Sequence, residues 1–88
     1  MKYTVVWVTI AEEELAALWL ETTARSEMTA ASHWIDRLLS WDPDRVGEYS
    51  FDTVRTLSVP PLGVDFEVSI DDRLVYVLSV WDLANPPV

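Results

Sequence analysis

From Val64 to Ile70 the chain alternates strictly: Val64, Phe66, Val68 and Ile70 are apolar, while Asp65, Glu67 and Ser69 are polar. A period of two puts successive side chains on opposite faces, so this segment reads as a strand with one buried and one solvated face. Such a strand needs neighbours for its backbone groups and an apolar layer over its inner face. The flanking residues supply the neighbours. Pro60-Pro61 must lie in a turn, because proline cannot donate to a ladder, and Asp71-Asp72 turns the chain again. Thr53 to Val59 therefore reads as the preceding strand and Leu74 to Trp81 as the following one. The last is apolar on both faces, which favours a central position. A three-strand meander results, followed by an irregular tail at Asn85-Pro86-Pro87.

The covering layer is legible upstream. Tyr3 to Val8 is a β-branched and aromatic run with apolar residues on both faces, expected as a strand covered on both sides. Thr9 and Glu12 have capping-box spacing, and Glu12, Glu13 and Glu14 suit the positive end of a helix dipole. Ala11, Leu15, Leu18, Trp19 and Thr22 then recur on one helical face, with Glu13, Glu14 and Glu21 directed elsewhere. Thr22 to Arg25 interrupts the pattern. Ser26 is the expected N-cap of a second helix over roughly 27–41, with Met28, Ala31, Ile35, Leu38 and Leu39 inside and Asp42-Pro43 as its stop. A polar connection runs from Asp42 to Ser50. The order is β-α-α-β-β-β, an α+β class in which a helical hairpin packs on a mostly antiparallel four-stranded sheet. All 88 residues form one domain, with no internal repeat or linker.

Fifteen acidic residues against six basic ones give a net charge of −9, which opposes binding to phosphate backbones and anionic membranes and favours a basic partner. Keeping an apolar-rich domain in solution is the plainer use of that charge. The absence of cysteine removes disulfides and thiolate chemistry and fits a reducing compartment. No apolar stretch approaches the roughly 18 residues of a membrane helix, and Met1-Lys2-Tyr3 does not open a secretory signal, so a cytoplasmic protein without membrane attachment is expected.

Residue types that do chemistry are sparse. His33 is the sole histidine and has no second ligand beside it, so no metal or other cofactor is expected, and it reads as a surface residue of the second helix. Asp65 and Glu67 project from one strand face and could form an acid/base pair, but a solvated strand face calls for polar residues in any case. No serine sits in a nucleophile elbow, and glycines only at 47 and 63 cannot form a phosphate cradle.

Taken in order, Tyr3-Thr4-Val5-Val6-Trp7, Ala11-Glu12-Glu13-Glu14-Leu15, Asp42-Pro43, Phe66-Glu67-Val68, Asp71-Asp72-Arg73-Leu74-Val75 and Val80-Trp81 resemble the RelE/ParE superfamily, the toxins of type II toxin–antitoxin pairs. The resemblance covers nearly the whole chain. It implies growth inhibition, by cutting messenger RNA on the ribosome or by inhibiting DNA gyrase, and neutralisation by a cognate antitoxin, with a role in plasmid stabilisation. The nuclease branch places an arginine at the start of the second meander strand and a histidine or tyrosine near the C-terminus. Here those positions fall on Gly63 and on Trp81-Asp82. Glycine has no side chain to hold a phosphate, indole is no base, and Asp82 would repel RNA. Arg55 is the one basic residue near the family's positive charge. Arg45 and Arg73 read as salt-bridge partners of the many carboxylates.

Trp34, Leu38 and Trp41 recur at helical spacing beside the inner face of the second helix, and Leu20 lies opposite the inner face of the first. Both helices thus offer more apolar surface than two layers need. The tail or the long connection could cover it. Alternatively these four residues form a partner site, as a groove for an amphipathic segment or a homodimer contact. Two principal readings follow: a toxin silenced by its antitoxin, or a non-catalytic interaction module that keeps the toxin fold without toxicity. An unrelated enzyme using Asp65 and Glu67 is a third.

Overall fold

The computed structural model describes residues 2–86; Met1 and Pro87, which belong to the sequence readings above, lie outside them. The chain runs β1 (Thr4–Trp7), α1 (Thr9–Glu21), α2 (Arg25–Trp41), β2 (Glu48–Phe51), β3 (Val54–Val59), β4 (Leu62–Ser69) and β5 (Leu74–Asp82). The sheet has five strands in the order β1-β5-β4-β3-β2. All neighbours are antiparallel except β1 and β5, which are parallel, a pairing that the long connection through both helices allows. The alternating segment is the middle strand, although Ile70 lies beyond its end and is exposed.

Both helices pack on one face of the sheet. Leu62, Val64 and Phe66 from β4 and Val75, Val77 and Val80 from β5 meet Ala11 of α1 and Met28, Ala31, Ile35 and Leu39 of α2 in one core. Val77 and Val80 both enter that core although they are three apart. A bulge allows it: Asp65 pairs with Ser79 and Phe66 with Val77, leaving Leu78 without a partner and resetting the alternation. Beside the bulge, Glu14 Oε1 accepts a hydrogen bond from the Val80 amide at 3.3 Å. Glu14 therefore leans toward the sheet instead of pointing away from it.

Several expectations are corrected. The sheet has five strands, because Glu48–Phe51, read as part of a polar connection, pairs with β3. Gly47 opens that strand with φ +75, and a Cβ there would sit 2.5 Å from the Thr56 carbonyl oxygen, so only glycine suits the approach. β1 is an edge strand and not one covered on both sides; Val6 remains 37% exposed. Neither side-chain cap forms. α1 already includes Thr9 and is capped by Val8, and α2 begins at Arg25 after Ala24, each without a side-chain hydrogen bond. Instead, the Thr22 hydroxyl accepts from the Ala24 amide at 2.9 Å within the turn between the helices.

Candidate functional site

The helices do not close into a tight hairpin. Apolar residues are spread almost all round α1, so the sheet cannot absorb them all: Ala11 enters the core, Leu15 and Leu18 pack at its margin, and Ile10, Trp19 and Leu20 stay exposed. The helices diverge, and a groove of about 910 Å³ opens between them and the edge of β1. Leu15, Ala16, Trp19 and Leu20 form one wall, Met28, Thr29, Ser32, His33 and Asp36 the other, and Val5, Val6 and Trp7 the base, with Glu12 at the rim. Its size falls within the roughly 300–1,000 Å³ typical of ligand pockets.

The base of the groove carries backbone as well as side chains. β1 bonds to its neighbour through the Thr4 amide to the Arg73 carbonyl and the Val8 amide to the Val77 carbonyl. In a parallel ladder alternate residues face one partner, so the backbone groups of Val5 and Trp7 point away from β5. The Tyr3 amide, on that same outer side, donates to the Ser40 carbonyl of α2, which covers the strand at that end. Two cross-links hold the walls: the Trp7 indole N–H donates to Asp36 and the Trp19 indole N–H to Thr29, both at 3.2 Å.

The four residues expected to meet a partner separate. Leu20, 67% exposed, lines the groove. Trp34, Leu38 and Trp41 are not among its lining; Trp34 and Trp41 are exposed on α2, and Arg37 stacks over Trp34. Trp19, read from the sequence as an inner-face residue, is instead a wall of the groove, because helical spacing defines a face but not what stands opposite it.

The other sheet face has no helix over it. By the register it presents four rows: Ser58, Gly63 and Trp81; Glu48, Thr56, Asp65 and Ser79; Val54, Glu67, Tyr76 and Val6; Ser69, Leu74 and Thr4. No lysine or arginine occupies these positions. Asp65 accepts from the Thr56 hydroxyl at 2.7 Å and more loosely from Ser79 at 3.3 Å, and Glu67 accepts from Thr53 at 3.1 Å. The two carboxylates of the suggested acid/base pair are thus each held by hydroxyl neighbours.

Gly63 and Trp81, onto which the resemblance would place two of the nuclease residues, are direct cross-strand partners. A Cβ added at Gly63 would lie 2.7 Å from the Trp81 indole, so the ring occupies the space any side chain at 63 would need. The two residues therefore form one packing arrangement: the bare backbone at 63 admits the ring of 81.

Arg55 is not on this open face. It pairs with Phe66, on the helix side, and donates to the Asp44 carbonyl at 2.6 Å and to the Tyr49 hydroxyl at 3.0 Å while stacking on the Tyr49 ring. Arg73 stacks on Tyr3, whereas Arg45 pairs with Asp42, so the three arginines do not converge. Among the described residues that Arg45–Asp42 contact is the one ion pair. The expectation of arginines paired to carboxylates holds for Arg45 and is corrected for Arg73, which lies on the Tyr3 ring. Described residues hold no cluster of three or more His, Asp or Glu arranged for a metal ion, and none of their helices is long and apolar enough to cross a membrane.

A chain of the toxin–antitoxin complex RelBE2 from Mycobacterium tuberculosis superposes on this one with a TM-score of 0.78 at 20% identity, covering 93% of this chain and 99% of that one. For a chain of the chromosomal ParDE toxin–antitoxin system from P. aeruginosa the TM-score is 0.65 at 16% identity, with 92% and 96% covered. The fold is that of the RelE/ParE toxins. No protein-family model matches the sequence, and no curated protein matches it. The RelE/ParE fold is thus shared over nearly the full length of both neighbours while sequence identity stays low.

Proposed function

We propose that this protein is the toxin-like component of a type II toxin–antitoxin pair, and that a cognate antitoxin segment neutralises it by entering the groove between α1, α2 and the β1 edge. The observation that carries the reading is the groove itself: apolar walls beside an unpaired strand edge, in a fold whose solved neighbours come from toxin–antitoxin complexes. Apolar anchors and strand addition are the two common ways a peptide segment is held, and this groove offers both. Growth inhibition would act on a protein target such as gyrase. Cutting messenger RNA fits poorly with an open sheet face on which Gly63 and Trp81 pack together and carboxylates outnumber cations.

A second reading rests on that same packing. A domain whose open face is filled by its own indole can serve as a non-catalytic interaction module that binds the partner without toxicity.

Controlled expression in a bacterial host separates the two. The toxin reading predicts growth arrest, relieved by co-expressing the product of the neighbouring gene, and arrest without relief for Leu20→Glu. Unimpaired growth at confirmed soluble expression, with the neighbouring product still bound, selects the module. Unimpaired growth together with no binding sinks both.

A further inference from the structure

The electrostatics of the groove define its occupant more closely than the fold does. Two carboxylates, Glu12 and Asp36, belong to its lining, and no lysine or arginine does. Glu13, seven residues before Leu20, shares that residue's side of α1. Arg25 stands at the turn between the helices, but its Nε and Nη2 groups donate to the Trp19 and Leu20 carbonyls at 2.9 and 3.1 Å, and its guanidinium lies over the Trp19 ring. Arg37, on α2, lies over Trp34, which is not in the lining. His33 is the remaining basic side chain of the wall.

The shortage of cations is built into the whole molecule. Four of the six basic residues, Arg25, Arg37, Arg55 and Arg73, are stacked on aromatic rings, and against a charge of −9 only Arg45–Asp42 forms an ion pair among the described residues. The carboxylates at the groove are left to be compensated from outside.

We infer that the segment entering the groove is cationic: an amphipathic peptide whose apolar side chains rest on Leu15, Ala16, Trp19 and Leu20 and whose lysines or arginines meet Glu12 and Asp36. This rests on the groove reading above and adds the sign of the partner's charge. An anionic segment would bring like charges together at the rim, which costs both affinity and encounter rate.

Two synthetic amphipathic peptides with identical apolar positions, one with lysine and one with glutamate at the polar positions, test this by calorimetric titration of the intact protein. A third peptide keeps the lysines but scrambles the apolar positions. The lysine peptide should bind about tenfold tighter than the glutamate peptide at roughly 50 mM salt, and the difference should shrink near about 300 mM as screening sets in. It should fall further in the double variant Glu12→Gln with Asp36→Asn, in which the introduced amide oxygen can still accept from the Trp7 indole. If the double variant does not fold, Glu12→Gln alone, at an exposed position, carries the test. Equal or stronger binding of the glutamate peptide, with both weakened by Leu20→Ser, overturns the charge assignment and leaves the groove in place. Equal binding of the scrambled peptide also overturns it, by showing a general attraction to the −9 surface. No binding by any peptide, or binding indifferent to Leu20→Ser, removes the groove reading and the charge assignment together.

Discussion

The two faces of the one sheet are built on different principles. On the helix side Leu62, Val64, Phe66, Val75 and Val77 are completely buried against α1 and α2, so stability there comes from removing apolar surface from water. On the open side the same strands carry Asp65 between two hydroxyls, Glu67 beside Thr53, and an indole lying across a glycine. Directional contacts hold that face together. The likeness to RelE/ParE structures is one of fold, holding over nearly the whole chain at 16–20% identity.

The contrast can be broken most directly at its strong side. Phe66→Ala should lower the unfolding free energy by about 3–5 kcal/mol, measured by urea denaturation, because a fully buried ring leaves a cavity between the layers. A cost near zero would mean the helix layer does not close over β4. On the open face Gly63→Ala should cost about 1–3 kcal/mol, since the new methyl meets the indole. The cost should largely vanish in a Trp81→Ala background, and a strictly additive double variant would refute the packing account. Arg55→Ala tests the margin between the faces. Losing its bonds to Asp44 and Tyr49 should cost about 1 kcal/mol, and an unchanged denaturation midpoint would mark the residue as free for other work. Smallest of all should be Trp34→Ser, within about 0.5 kcal/mol, because that indole is already exposed. A larger loss would show that the Arg37 stack contributes more than its geometry indicates.

Much of the helix face was legible in the sequence, and little of the open face. Strict alternation from Val64 placed β4, and the spacing of Met28, Ala31, Ile35 and Leu39 placed α2, because both patterns report a single buried surface directly. β2 was hidden: Glu48–Phe51 is four residues long and exposed throughout, so it has no buried period, and only the paired aromatics between Gly47 and Asp52 hinted at it. Caps at Thr9 and Ser26 failed because the chain enters each helix earlier than those residues. The groove was half legible. Leu20 stood out as surplus apolar surface, but the divergence of the helices that makes Trp19 its neighbour is a tertiary property. Likewise Gly63 and Trp81 each looked like a missing functional group, and their contact depends on a register across β4 and β5 that neither segment encodes alone.

The unpaired Leu78 has a consequence of its own. It divides β5 into two stretches read in different frames, one presenting Val75 and Val77 to the helices and the other Val80. The length of this strand is therefore as informative as its composition. Were Leu78 drawn into regular pairing, every residue after it would change face, turning Val80 toward the open side and Trp81 toward the core, whereas deleting Leu78 would leave Val77, Ser79, Val80 and Trp81 on the partners they now have. The exclusion of that one residue from the ladder, more than the identity of any residue nearby, keeps the indole where it lies over Gly63.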